Sequence, residues 1–335
     1  MIDNATILVT GGTGSFGKKF VNYLLSNYNP QKVIVFSRDE IKQWEMSKLY
    51  PDEKRIRFFI GDVRDKDRLR LALNGVDYII HAAATKIIPT AEYDPFECIK
   101  TNIIGAMNLI EVCLEKGVKR VIALSTDKAC SPVNLYGATK LASDKLFVAA
   151  NSYSGDKQTS FSIVRYGNVM GSRGSVIPYF YSIKDQPIIP ITDPEMTRFM
   201  MTLEQSVDLV TFALKDMLGG EIYVKKIPSM KVVDMAKVIA PNSVYKTTGV
   251  RPGEKIHEQM INEEDARYTY EFDGYFKILP ALNKWHRDTN RIGTGKLVVD
   301  KFSYNSETNS DWFHAEDLEA WLIKNQELLI PDKVL

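Results

Sequence analysis

Cysteine is scarce. The 335-residue chain has three, Cys98, Cys113 and Cys130, with no Cys-x-x-Cys spacing and no histidine close by. An odd, scattered set excludes a disulfide frame and a zinc site, and reads as reduced thiols. Histidine is as sparse: His81, His257, His286 and His314 are too dispersed to share a metal, and His81, ending an apolar strand, reads as a core residue. Net charge is nearly absent, with 43 basic against 42 acidic residues, which removes the electrostatic footprint of a nucleic-acid binder. No apolar run, YIIHAAA included, approaches the roughly 20 residues that cross a bilayer. The opening MIDNATILVTGG enters a strand pattern without a charged and apolar leader, so a cytoplasmic, membrane-free protein is expected. Repeats, low-complexity tracts and long flexible linkers are missing too.

What is present is an ordinary globular composition, 44% hydrophobic and 25% charged, long enough for a large core and about two domains. Six β-branched, apolar runs read as strands: TILVTG, KVIVFS, IRFFIGD, YIIHAA, RVIALST and FSIVRYG. Amphipathic stretches such as SFGKKFVNYLLSN and TNIIGAMNLIEVCLEKG separate them, which predicts an α/β fold with a doubly wound parallel sheet of Rossmann type. After residue 167 the pattern loosens. Helices are expected at TLEQSVDLVTFALKDM and MKVVDMAKVIA, a strand at GEIYVKK, and a closing helix at AEDLEAWLIKNQEL. We therefore expect a dinucleotide domain over 1–167 and a smaller mixed α/β substrate domain over 168–335, partly interleaved with the first and capping the sheet's ligand edge. The aromatics of RYTYEFDGYFKI read as packing within that cap.

VTGGTGSFGKKF follows the first strand and opens a helix, with glycines at Gly11, Gly14 and Gly17 around Thr13, Ser15 and Phe16. Such glycines let the backbone turn and approach a pyrophosphate, which then meets the amides at the positive end of the helix. At the end of the second strand, Ser37 and Arg38 precede Asp39, with Lys42 one turn on. Arg38 and Lys42 would suit the 2′-phosphate of NADP, whereas Asp39 would suit the ribose of NAD; NADP is the preferred reading. Asp62 and Val63, after the third strand, would lie by the adenine, with a helix N-cap as the other reading of Asp62.

The most informative stretch is ALSTDKACSPVNLYGATK. Tyr136 and Lys140 are four apart on a helix and share a face, so a cation beside a phenol is expected to favour the phenolate and make a base. Thr126, at the strand end, can hold the same substrate oxygen. Asp127 and Lys128 add a second acid–base pair. If a sugar is oxidised at C4, the C5 proton becomes acidic, and loss of the C6 hydroxyl needs a base at C5 and an acid at O6. A partly desolvated Lys128 with lowered pKa would be that base, and a protonated Asp127 that acid.

TGGTGSFG, FSRDE, FIGDVRD, HAAATK, AEYDPFECIKTN, LSTDKACSPVNLYGATK, RYGNVMGSRGSV and RPGEK together resemble the nucleotide-sugar 4,6-dehydratases of the extended short-chain dehydrogenase/reductase superfamily, and among them the soluble, C5-inverting UDP-N-acetylglucosamine 4,6-dehydratases that begin pseudaminic acid synthesis. The resemblance runs over about residues 5 to 260. It implies NADP, held with the help of Ala82, Lys86, Tyr136 and Lys140, a UDP-N-acetylglucosamine substrate, and a homo-oligomer, often a hexamer. It implies Asp127 and Lys128 as acid and base of elimination, and Tyr136 with Lys140 as the oxidation pair. Arg198 and Arg251 are similar to residues that grip the UDP diphosphate; Asn168 and Arg173 would reach uridine or phosphate, Glu254 a ribose hydroxyl and Lys86 the sugar. For these residues a surface salt bridge is the competing reading. Where relatives commonly read LKHVP or LKQVP, this chain has TKIIP, which keeps Lys86 but puts Thr85 and Ile87 beside it. A UDP-hexose 4-epimerase would share the cofactor and the Tyr136–Lys140 pair but has no use for Asp127 and Lys128. A C5-retaining dehydratase shares nearly every residue named, although retaining relatives often lack the helix tyrosine. A nucleotide-sensing protein without turnover would not need Thr126, Tyr136 and Lys140 intact.

Overall fold

The computed structural model describes residues 1–155 and 159–329. Residues 330–335, the end of the expected second domain, lie outside them. All six strands form where expected: β1 (Thr6–Thr10), β2 (Lys32–Ser37), β3 (Ile56–Ile60), β4 (Tyr78–His81), β5 (Arg120–Thr126) and β6 (Ser160–Tyr166). They pair in parallel in the order β3-β2-β1-β4-β5-β6, so the direction of winding reverses between β1 and β4. That reversal opens a crevice at the carboxyl ends of the strands, the place where such sheets bind ligands.

Side chains alternate between two cores. Ile7, Val9, Val33, Val35 and Ile80 face helix α1 (Ser15–Asn27) and the helix Leu203–Asp216, while Leu8, Ile34, Ile79, Val121 and Ile163 face Leu69, Leu109 and Phe147 on the opposite layer. Burial on both faces is why these strands are almost wholly apolar.

The second half returns to this sheet. Ile222–Lys225 adds a seventh parallel strand beside β6, and Tyr275–Ile278, Thr269–Phe272 and Lys296–Leu297 continue it antiparallel. The aromatic stretch expected to pack inside a cap is thus a hairpin on the sheet, turning at Asp273 and Gly274, the latter with φ +76°. The turn needs positive φ only at its second position, which glycine supplies without a side-chain clash. Strands Asn168–Val169, Thr197–Met201 and Ser229–Lys231 make a small sheet whose methionine-rich core includes Met170, Met200, Met230 and Met235, and two further strand pairs join Ile188–Ile191 to Val244–Thr247 and Gln259–Ile261 to Tyr304–Asn305. Thr202 and Gln205 form a capping box at the start of Leu203–Asp216. Two expected helices change at their ends. The stretch before Gly105 is a π-turn, Lys100–Ile104, and the closing helix runs Ala315–Lys324 before a 3-10 turn at Gln326–Leu328.

Candidate active site

The first turn is built from close approaches. Gly11 has φ +65°, and a β-carbon there would stand 2.9 Å from the Ala83 amide nitrogen; one on Gly17 would stand 2.5 Å from Gly12 Cα. Only glycine lets α1 sit this tightly on the end of β1. Gly14 is the N-cap of α1 and offers no side chain to the first amides, and the first turn has no acidic residue. The open amides of Ser15, Phe16 and Gly17 beside a bare backbone fit a pyrophosphate. Thr13 is buried within the turn, and Phe16 stacks on Phe20 at 5.4 Å. Ala82 closes the other side, its amide donating to the Thr10 carbonyl at 3.2 Å and Thr10 Oγ1 at 3.1 Å. His81 beneath it accepts or donates at Nδ1 to Thr10 Oγ1 over 2.8 Å; burial first, then the Lys140 charge, lowers its pKa to about 3, so it is a neutral core histidine.

At the end of β2 the Ser37 hydroxyl accepts from Gln43 Nε2 (3.1 Å). Asp39 caps the helix Glu40–Ser47, accepting from the Lys42 amide at 2.9 Å, and holds Lys42 Nζ at 2.6 Å. Arg38 projects past them, more than half exposed, 3.8 Å from Asp62. Asp62 is not a helix cap: it receives the Arg64 amide and Nε at 2.9 and 2.8 Å, and Asp65 caps Lys66–Ala72 instead. Val63 is buried against Gly105, where an added β-carbon would lie 2.7 Å from Val63 Cγ2.

β5 ends at Thr126 and turns at once into the 3-10 turn Asp127–Ala129; Asn134 then caps the helix Leu135–Ala150, accepting from the Gly137 amide at 2.7 Å. These two turns bring Thr126, Asp127, Lys128 and Tyr136 together, with Lys140 buried one turn further along the helix. Thr126 Oγ1 donates to Asp127 Oδ1 at 2.9 Å, and Thr126 opposes the rise in the Tyr136 pKa. Lys128 Nζ lies 3.1 Å from Asp127 Oδ1 and 3.0 Å from Glu258 Oε1. Asp127 Oδ2 and Glu258 Oε2 are buried and have no protein partner among the described residues.

The electrostatics correct part of the sequence reading. Burial raises the Asp127 pKa, with the Lys128 ammonium opposing and Glu258 reinforcing, as a proton donor requires. Lys128 moves the other way from expectation. Burial would lower it, but the Asp127 and Glu258 carboxylates outweigh burial and hold its pKa above the ordinary lysine value. Burial likewise pushes the Tyr136 phenol up to about 12, and the cation that opposes this most is Lys128, not Lys140. Lys140 is buried one turn on, its pKa lowered by desolvation and partly restored by Asp144.

A distant segment straps this region down. Asn134 Nδ2 donates to the Gly253 carbonyl (2.7 Å), Lys255 Nζ to the Cys130 carbonyl (2.6 Å), and Ser131 Oγ to Gln259 Oε1 (3.1 Å). Arg198 secures the strap. Its Nη1 donates to the Thr197 and Ile256 carbonyls, its Nη2 to the Lys255 carbonyl, and its Nε lies 3.8 Å from Glu258, so the expected diphosphate ligand has its donors taken up by protein. Arg251, mostly exposed, pairs with Glu254 at 2.5 Å; Glu254 Oε2 and Asn168 Oδ1 are buried without a protein partner among the described residues. Lys86 Nζ donates to the Arg173 carbonyl at 3.2 Å, and desolvation, followed by the Lys128 charge, lowers its pKa.

Two residues escaped the sequence reading. Asn102 Nδ2 donates to the Thr85 carbonyl (2.9 Å) and Thr139 Oγ1 (3.0 Å) and its Oδ1 accepts from the Thr85 amide (2.9 Å), fixing the loop before Lys86. Glu258 stands four residues past Glu254, and nothing in the sequence sets it apart from the other charged residues of RPGEKIHE.

A model of the family described as polysaccharide biosynthesis protein matches residues 7–280. A UDP-N-acetylglucosamine 4,6-dehydratase (inverting) of Campylobacter jejuni (strain 81-176) is 54% identical over 325 residues, 95% of this chain and 97% of its own. A UDP-glucose 4-epimerase of Rickettsia typhi is 40% identical over 83% of this chain and 84% of its own. The X-ray structure of Pen from Bacillus thuringiensis superposes with a TM-score of 0.89 at 35% identity, covering 99% of this chain and 100% of that one.

Proposed function

The chain belongs to the polysaccharide biosynthesis protein family, and from that premise we propose that it is an inverting UDP-N-acetylglucosamine 4,6-dehydratase, a hydro-lyase. The observation that carries the reading is the buried Asp127–Lys128 pair beside Thr126 and Tyr136. A 4-epimerase has no step for such a pair.

NADP fits the cradle of Gly11, Gly14 and Gly17, with Arg38 open for a 2′-phosphate while Asp39 is engaged as a cap. When bound there, it would supply a hydride acceptor for C4 and the same hydride for C6. Tyr136 receives the C4 hydroxyl proton while Thr126 holds that oxygen. The Asp127–Lys128 pair then works on the ketone: Lys128, in its unprotonated form after releasing its own proton to solvent, takes the C5 proton, the C6–O bond breaks as its electrons leave with oxygen, and Asp127 supplies the proton that makes water. Reprotonation of C5 from the opposite face completes the product, UDP-2-acetamido-2,6-dideoxy-β-L-arabino-hexos-4-ulose. Lys86, Asn168, Arg173, Arg251 and Glu254 line the nucleotide-sugar side, the last two as a paired guanidinium and carboxylate, and Arg198 acts there by holding residues 255 and 256.

The wider reading is a dinucleotide half up to residue 167 and a nucleotide-sugar half beyond it, in a cytoplasmic homo-oligomer serving pseudaminic acid synthesis. Exposed Tyr93, Phe96, Ile104 and Met107, close together in the chain, support self-association, and no helix among the described residues is long and apolar enough to cross a membrane.

A proton NMR time course in D₂O with UDP-N-acetylglucosamine tests the reading. Expected is a 6-deoxy-4-keto product with deuterium at C5 and L-arabino couplings. D-xylo couplings would overturn inversion, and UDP-N-acetylgalactosamine would make the protein an epimerase.

A further inference from the structure

Glu258 is the buried carboxylate nearest Lys128 that the sequence did not single out. It is 2% exposed, reaches Lys128 Nζ over 3.0 Å, and has a second oxygen with no protein partner among the described residues. Its backbone is fixed from both sides: its amide donates to Ser306 Oγ at 2.9 Å, and its carbonyl accepts from the Ser306 amide at 2.8 Å. Its engaged oxygen, Oε1, meets Lys128 Nζ and lies 3.8 Å from Arg198 Nε, so the part argued for it passes through Lys128.

Resting on the dehydratase reading, we infer that Glu258 is a positioning residue, the counter-ion that lets Asp127 and Lys128 carry a proton each at the same time. The charges around it support this. Lys128 is faced by Asp127, Glu258 and the Tyr136 phenol, with Arg198 and Lys86 beyond; Glu258 is faced by Asp127, Lys128, Arg198 and Lys255; Asp127 is faced by Thr126, Lys128, Tyr136 and Glu258. With Glu258 ionised, a protonated Asp127 beside a Lys128 ammonium makes a three-group cluster of no net charge. Without it the same two protons would leave an uncompensated buried cation next to Arg198, and both would be held less firmly. Elimination sends one proton from Asp127 to O6 as the C6–O bond breaks, while Lys128, once unprotonated, takes the one released by C5. The pair therefore titrates as a unit, and Glu258 sets where.

The test is the pH profile of C5 deuterium incorporation, with KM read alongside, for the unsubstituted enzyme, E258Q and E258D. E258Q is expected to move the whole profile to lower pH by about 1–2 units, the size of one close charge, so that on the alkaline side activity falls about 10- to 100-fold while KM stays within about threefold. E258D keeps the charge and is expected to keep the unsubstituted profile. A superimposable E258Q profile, a shift to higher pH, an equal shift in E258D, or an E258Q chain that loses its fold or cofactor overturns the proposal. Failure of the unsubstituted enzyme to make any 6-deoxy product overturns the dehydratase reading instead, and the proposal with it.

Discussion

A β-carbon built on Gly137 would stand 2.2 Å from the Lys128 carbonyl oxygen. The helix that carries Tyr136 and Lys140 can therefore lie against the turn that carries Asp127 and Lys128 only because residue 137 has no side chain. Gly137→Ala gains helix propensity, about 1 kcal/mol, but must push these two elements apart. A net loss of about 1–3 kcal/mol in chemical unfolding is expected, together with slower product formation. A stabilised, fully active variant would remove the steric argument.

Asp127→Asn keeps the shape and the neutral state of a protonated Asp127 but has no proton to give O6. Product formation should fall by about 10²- to 10⁴-fold, the range for a lost general acid. C4 oxidation should persist, visible as reduced cofactor accumulating in single-turnover absorbance. Loss of oxidation as well would mean that Asp127 serves the first step.

Burial that pushes the Tyr136 phenol up from 10.0 to about 12 leaves little phenolate at neutral pH. As a base it must lose its proton, so its active fraction grows as pH rises toward that value. The rate of C4 oxidation should climb through the neutral and mildly alkaline range, and Tyr136→Phe should abolish the step. A rate that is flat from pH 7 upward would show that another group takes the C4 hydroxyl proton.

Arg38 is the more exposed charge at the end of β2, held only at 3.8 Å from Asp62, whereas Asp39 is occupied by Lys42 and its amide. Arg38→Asp should cost NADP about 1.5–3 kcal/mol of binding, the size of a charge-assisted hydrogen bond, and leave NAD nearly unaffected. Titration calorimetry with each dinucleotide measures the difference; equal losses for both would move the discrimination elsewhere.

The parts legible in the sequence are those whose cause is local. β1 to β6 announce themselves by β-branched apolar runs, the first turn by its glycines, and the Thr126-to-Lys140 block by residue types that few other tasks require together. What escaped depends on segments far apart in the chain. Glu258 looks like any acid in a charged stretch until the strap carries it to Lys128, and Arg198 looks like a free phosphate ligand until the carbonyls of Lys255 and Ile256 meet it. The protonation of Tyr136 and Lys128 also depends on burial and on neighbours from other elements. Spacing on a helix places Lys140 beside Tyr136, but it does not reveal that Asp144 shares the Lys140 charge or that Lys128 is the stronger influence. The hairpin at Asp273 and Gly274 was readable from its turn dipeptide, yet nothing nearby says that its partner is the sheet of the first half.

The strap joins residues 119 to 128 positions apart, Asn134 to Gly253, Cys130 to Lys255 and Ser131 to Gln259. This sets an order of events while the chain is being made. A ribosome that has just released β6 has already delivered the glycine turn, Thr126, Asp127, Lys128, Tyr136 and Lys140, but neither the strap nor Glu258 exists. Lys128 then has one carboxylate beside it, and the loop after it has nothing to lie on. Catalytic competence thus arrives late in synthesis, after the greater part of the chain is out. An incomplete chain would hold the groups needed to begin oxidising a sugar without the frame that finishes the reaction.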